Sequence, residues 1–105
     1  MNLNELQATA DLWIRESAGG YWDKFQILAH LTEELGEVAS ALQRQEGLSP
    51  RWVAVDLSGE VGDLLFTLAV FANVTGINLE ESIRKVIEKH HMRDAEDWQR
   101  KRADG

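Results

Sequence analysis

Along this chain, apolar residues return every three or four positions in four separate stretches, the period of a helix buried along one side. In the first, from about Asn4 to Ser17, Leu6, Ala10, Trp13 and Ile14 share a face, and Gly19-Gly20 ends the pattern. The second starts behind Asp23, a helix-capping residue type, and continues to Gln45 with a stripe of Ile27, Leu28, Leu31, Leu35, Val38 and Leu42. Gly47 stands where helices commonly stop. The third runs from about Val55 to Thr75 with Leu57, Val61, Leu64, Leu65, Leu68, Phe71 and Ala72, and Gly76 follows. The fourth opens on Asn78-Leu79-Glu80-Glu81, a cap residue with Glu three places on, turns Leu79, Ile83, Val86, Ile87 and His90 inward, and fades after Trp98. Between 46 and 56 the pattern is ambiguous. Ser49-Pro50 suits the first turn of a helix or a loop, and Trp52 suits a lid or an interface anchor. No stretch reads as a strand, so the expected fold is an all-α four-helix bundle.

Acidic residues interrupt the two central stripes in matching places. Leu31-Thr32-Glu33-Glu34-Leu35-Gly36-Glu37-Val38 and Leu57-Ser58-Gly59-Glu60-Val61-Gly62-Asp63-Leu64 pair Leu31 with Leu57, Thr32 with Ser58, Glu34 with Glu60, Gly36 with Gly62 and Glu37 with Asp63. Each contributes two carboxylates at i, i+3, on one helix face at the border of its apolar stripe. An antiparallel pair of such helices brings four carboxylates together, and they repel unless a cation lies among them. Hard divalent ions favour oxygen ligands, so Glu34, Glu37, Glu60 and Asp63 are candidate ligands for Mg²⁺, with Mn²⁺ as a substitute. Such ions suit phosphate chemistry. Gly36 and Gly62 lie on the opposite side from the acids, where a small residue admits a further helix.

The remaining chemistry sits nearby or in the last helix. His30 shares the face of Glu34 and Glu37 and can meet substrate or pair with Glu34. Trp22, just ahead of the second helix, can stack on a nucleobase or pack in the core. Seven of the eleven basic residues fall in the last quarter of the chain, and Lys85, Lys89 and Arg93 form a stripe at i, i+4, i+8. That stripe can grip phosphate oxygens, or it can be a solvated face paired internally, Glu81 with Lys85 and Arg84 with Glu88. His90 is expected in the core. Glu88 and His91 make one Glu-x-x-His motif, where a di-iron carboxylate bundle needs two.

Bulk properties narrow the partners. The 105 residues form one expected domain, and the formal net charge of −7 argues against a broad nucleic-acid surface. No apolar run approaches a membrane span, so no membrane partner is expected. The absence of cysteine excludes disulfides and thiolate metal sites. Met1-Asn2-Leu3-Asn4-Glu5 lacks the basic and apolar parts of a signal peptide, and a cytoplasmic location is expected.

Over about residues 3–98 the sequence resembles the MazG-like nucleoside triphosphate pyrophosphohydrolases, an all-α superfamily. The resemblance rests on Glu34-x-x-Glu37, 22 intervening residues, and Glu60-x-x-Asp63. It is extended by Phe71-Ala72-Asn73, Gly76-Ile77-Asn78-Leu79-Glu80-Glu81 and the closing Lys89, Arg93, Asp94 and Trp98. It implies that Glu34, Glu37, Glu60 and Asp63 bind magnesium and that Lys89 and Arg93 contact the substrate phosphates. It implies cleavage of an NTP or dNTP between the α- and β-phosphates, giving a nucleoside monophosphate and pyrophosphate, with Glu34 or Glu37 taking a proton from water. It also implies a homodimer or a dimer of dimers, because one protomer leaves the site incompletely walled. His90-His91 departs from the family pattern. The competing expectation is a helical dimerisation module or metal buffer that retains the acids without turnover.

Overall fold

The computed structural model describes residues 1–48 and 54–104 and contains four helices and, among the described residues, no strand. They are α1 (Leu3–Glu16), α2 (Lys24–Gln45), α3 (Leu57–Thr75) and α4 (Leu79–Asp104). The all-α expectation holds. The readings of Ser49-Pro50 and Trp52 lie outside the described residues.

Local chemistry sets the helix ends. Asn2 accepts a hydrogen bond from the Glu5 amide, and Asp23 accepts from the amides of Phe25 and Gln26 while the Gln26 side chain returns to the Asp23 amide. This reciprocal cap satisfies amides that have no partner inside the helix. Asp56 caps α3 by accepting from the Gly59 amide, so the helix starts two residues later than the apolar pattern implies. Asn78 accepts from the Glu81 amide at 2.9 Å. At its far end α4 continues to Asp104, past the expected fade at Trp98.

Gly76 closes α3 with φ +73°, and the Ile77 amide returns to the Ala72 carbonyl at 2.8 Å. An L side chain there would meet the left-handed backbone penalty. Gly76→Ala is expected to cost about 1 kcal/mol and to lower Tm by roughly 4–8 °C. A thermal melt indistinguishable from the parent would contradict this.

The core is small. Ala10, Ile27, Ala69 and Val70 form its buried centre, with Leu6, Ile14, Tyr21, Phe66, Phe71, Val74 and Leu79 packed around it. The most extensive packing is α2 on α3, followed by α1 on α3; α4 meets mainly α1, at its root. Every residue from Glu81 to Arg102 is exposed.

Burial corrects the one-stripe-one-core reading. Leu28, Leu35 and Leu42 of α2, Val61, Leu65 and Leu68 of α3, and Ile83, Val86 and Ile87 of α4 remain exposed. His90, expected in the core, is exposed because α4 leaves the body of the protomer. Among the described residues, Gly36 and Gly62 admit no further helix within the protomer: nothing lies within 4 Å of where their Cβ atoms would stand. By length and composition α3 is apolar enough to cross a membrane, contrary to expectation. Its apolar surface extends to two sides, one against α1 and α2 and one left open, and Glu60 and Asp63 lie in its first two turns.

The shape matches this incomplete burial. The radius of gyration is 18.6 Å, against about 13 Å for a compact chain of this length. The protomer exposes 8198 Å², against about 6,000 Å² for a compact monomer of its mass.

Candidate metal centre and its aromatic cleft

The helix period aims the acids. On α2, Ile27, Leu31 and Val38 point inward and carry Glu34 along with them; on α3, Leu57 and Leu64 do the same for Glu60 and Asp63. Glu34, Glu60 and Asp63 each offer a carboxylate oxygen, and all three oxygens lie within 4.8 Å of one another. Glu34 and Glu60 are half-buried and Asp63 is exposed. Glu37 is exposed and stands outside this trio. The expected four-acid site is therefore three acids in a cluster and one beside it.

The electrostatics show the cost of the arrangement. Partial burial, then the charges of Glu37, Asp63, Glu34 and Asp56, push the Glu60 carboxyl above the ordinary glutamate range. Glu37 thus acts on the cluster although it stands apart from it. An all-oxygen set with surplus negative charge fits a hard divalent cation of the magnesium type, which would relieve the repulsion. Asp56, not among the expected site residues, adds to that charge from its capping position.

The raised Glu60 pKa has a sign. The folded chain holds this proton more tightly than the unfolded one, so the contribution favours the metal-free fold at acid pH and is lost as pH rises through the raised value. In metal-free buffer, the Tm gain of Glu60→Gln over the parent is expected to be near zero at about pH 4 and positive at about pH 7. An equal gain at both pH values would refute it.

A cleft of about 570 Å³ opens beside the acids, its wall including Trp13, Trp22, His30, Glu34, Asp63 and Phe66. His30 Nε2 lies 3.5 Å from Glu34 Oε1 and Nδ1 lies 3.6 Å from Glu33 Oε2. Trp22 meets the His30 ring edge-on, with centroids 6.0 Å apart. Trp13, also on the lining, meets Phe66 edge-on at 5.6 Å. His30 and Trp22, named from sequence on separate grounds, thus join Glu34 and Asp63 around one space.

Lys85, Lys89 and Arg93 do not line this cleft in a single protomer. Among the described residues none of them makes an ion pair: α4 pairs Arg84 with Glu80 and Arg100 with Asp97, and neither the Glu81–Lys85 nor the Arg84–Glu88 pair forms. Sequence reasoning also missed Tyr21 and Phe66 as cleft residues. Phe66 lies off the apolar stripe of its helix, and nothing in the pattern marks it as lining a cavity.

Residues 23–98 match the model of the MazG nucleotide pyrophosphohydrolase domain. The YpjD protein of Bacillus subtilis (strain 168) is 36% identical over 102 residues, covering 94% of this chain and 92% of its own length. Its crystal structure superposes with a TM-score of 0.74 at 35% identity, over 85% of this chain and 94% of that one. The Bacillus-conserved MazG protein, described as a nucleotide pyrophosphohydrolase, superposes with a TM-score of 0.72 at 29% identity, over 85% and 88% of the two chains. With its paired acids placed on two packed helices and the domain match spanning most of its length, the chain belongs to the MazG nucleotide pyrophosphohydrolase family.

Proposed function

We propose that this protein is a divalent-metal-dependent hydrolase that cleaves a nucleoside triphosphate between its α- and β-phosphates, releasing a nucleoside monophosphate and pyrophosphate. The carrying observation is the meeting of three carboxylates, from two helices, at the edge of an aromatic cleft. Glu34, Glu60 and Asp63 would hold the cation, Mg²⁺ by preference and Mn²⁺ as a substitute. A bound ion of this kind neutralises charge developing on phosphate oxygens and acidifies water. Glu37, outside the trio but close enough to act on Glu60, accepts the proton of the attacking water. Attack at the α-phosphorus forms the new P–O bond as the bond to the pyrophosphate oxygen breaks. His30 holds the Glu34 carboxylate from one side, and Trp22 presents a ring on which a base can stack.

The phosphate grip comes from Lys85, Lys89 and Arg93 in an assembled protein. Their absence from the cleft lining in one protomer, and the open apolar faces of α2, α3 and α4, support a homodimer or a dimer of dimers in which copies complete each other. We place the protein in the cytoplasm, in the service of the nucleotide pool.

The test is release of pyrophosphate from each of the common NTPs and dNTPs, with magnesium present and with it removed. Magnesium-dependent pyrophosphate and the matching monophosphate are expected from at least one of them. Release of orthophosphate instead would refute the cleavage position. Silence across the panel and across modified nucleotides would leave a binding module.

A further inference from the structure

Trp22 is 61% exposed, and among the described residues its one aromatic neighbour is His30, met edge-on. Its placement over the cleft must therefore come through the backbone on either side. On the C-terminal side Asp23 is fixed as the cap of α2. On the N-terminal side lie Gly19 and Gly20, with φ +78° and +112°, a turn that glycine's freedom permits and does not by itself hold in place. Between the turn and Trp22 stands Tyr21.

Tyr21 is pinned at its tip. Its hydroxyl donates to Asp11 Oδ1 at 2.6 Å and accepts from Asn73 Nδ2 at 3.3 Å, so one phenol ties the turn to α1 and to α3. Both partners are themselves held. Arg15 Nε donates to both Asp11 oxygens, at 3.0 and 3.1 Å, and the Arg15 guanidinium lies over the Tyr21 ring with its carbon 5.6 Å from the centroid. Asn73 Nδ2 also donates to the Gln7 carbonyl, and Asn73 Oδ1 accepts from Gln7 Nε2. The polarity of the strut registers in its protons. The Tyr21 hydroxyl and the Arg15 guanidinium hold the Asp11 carboxyl below its ordinary range, and burial followed by Asp11 raises the Tyr21 phenol.

We propose that Tyr21 is a positioning residue: anchored by Asp11 and Asn73, it sets the 19–22 turn so that Trp22 forms the stacking wall for a substrate's nucleobase. This deepens the nucleotide reading above and rests on it. The strut acts on the base and not on the triphosphate, because it holds the aromatic wall and, among the described residues, hydrogen-bonds to none of Glu34, Glu60 and Asp63.

The experiment compares Tyr21→Phe with the parent on the parent's best nucleoside triphosphate, and on inorganic tripolyphosphate as a competitive inhibitor that lacks a base. For Tyr21→Phe, KM is expected to rise roughly three- to tenfold, the loss expected of one or two hydrogen bonds, with kcat within about twofold. The tripolyphosphate Ki should not change. Trp22→Ala should raise KM in the same way, and adding Tyr21→Phe to Trp22→Ala should add nothing, since the wall is already gone. Asp11→Ala should reproduce the KM rise, and Asp11→Asn, which keeps an acceptor for the phenol, should reduce it. Equal changes in KM and Ki, or a further rise in the double variant, would mean that Tyr21 serves general stability, and the proposal would fall. An unchanged KM in Tyr21→Phe would also end it. In both cases a parent that turns over nucleotides leaves the pyrophosphohydrolase reading standing; a parent that turns over none removes both.

Discussion

Asp63→Asn is expected to reduce pyrophosphate release by at least about a hundredfold while leaving the helical circular dichroism spectrum unchanged. The substitution keeps the shape of the side chain and removes one of three negative charges whose oxygens lie within 4.8 Å of one another. Asp63 is exposed, so no packing is lost. Because its charge helps raise the Glu60 carboxyl, the metal-free variant should also melt higher than the metal-free parent at neutral pH. Glu37→Gln should lose turnover by a different route. Glu37 stands outside the trio, so its variant should retain metal affinity and lose kcat, whereas Asp63→Asn should weaken metal binding as well. Titration of Mn²⁺ followed by electron paramagnetic resonance separates the two. Wild-type rate in either variant would overturn the assignment of the site.

The second large effect concerns assembly. Leu35 is 58% exposed and Leu68 is 37% exposed in the protomer, alongside Leu28, Leu42, Val61 and Leu65 on the same two helices. The excess of about 2,200 Å² over a compact monomer is well above the roughly 800 Å² per partner of a standard interface. Apolar faces left open on a small domain mark a surface that a partner covers. Leu35→Glu and Leu68→Glu should therefore dissociate the proposed assembly, because each places an unpaired charge on the face that a second copy is proposed to cover. The expected readout is a smaller particle in sedimentation and a Tm lower by more than about 10 °C. The parent's Tm should depend on protein concentration, as linkage requires of an obligate oligomer. A parent that sediments as a monomer, with a concentration-independent Tm, would refute this.

The two predictions are linked through α4. Its stripe of Lys85, Lys89 and Arg93 lines no part of the cleft in one protomer, so variants that separate the copies should also lose activity. The same separation explains why some sequence readings did not transfer. His90 sits at a correct apolar register of its helix, but α4 is held at its root. There Gln7 accepts from the Leu79 amide at 2.8 Å and donates to the Ile77 carbonyl at 2.8 Å. Beyond that root no described residue of the protomer buries α4. Periodicity identifies a face that needs covering; it does not say whether the cover comes from the same copy.

Much of the site was nevertheless legible. Glu34, Glu60 and Asp63 could be named because spacing at i, i+3 and the adjacent stripes determine which way they point once the helices form. Glu37 follows the same rule and stands outside the trio, although its charge leads those that act on Glu60. His30 and Trp22 were legible as residues with two uses each, and the cleft between them unites those uses. Tyr21 and Asp11 carried no signal, and Asn73 entered only through the Phe71-Ala72-Asn73 motif, because one polar side chain beside an apolar stripe looks like any other until its partner, 10 to 66 residues away, is in place.

By itself, the order of residues determined four helices, the Asp23 and Asn78 caps, the glycine stops of the first three helices, the matched acid pairs and the family, since each depends on contacts within a few positions or on a motif read in line. Only the tertiary structure decided which three acids meet, that aromatic rings wall a cleft beside them, and that Tyr21 braces the turn carrying Trp22. It also left broad apolar faces of α2, α3 and α4 uncovered. These outcomes depend on the rotation and separation of whole helices, which many weak packing contacts set together and no local pattern encodes.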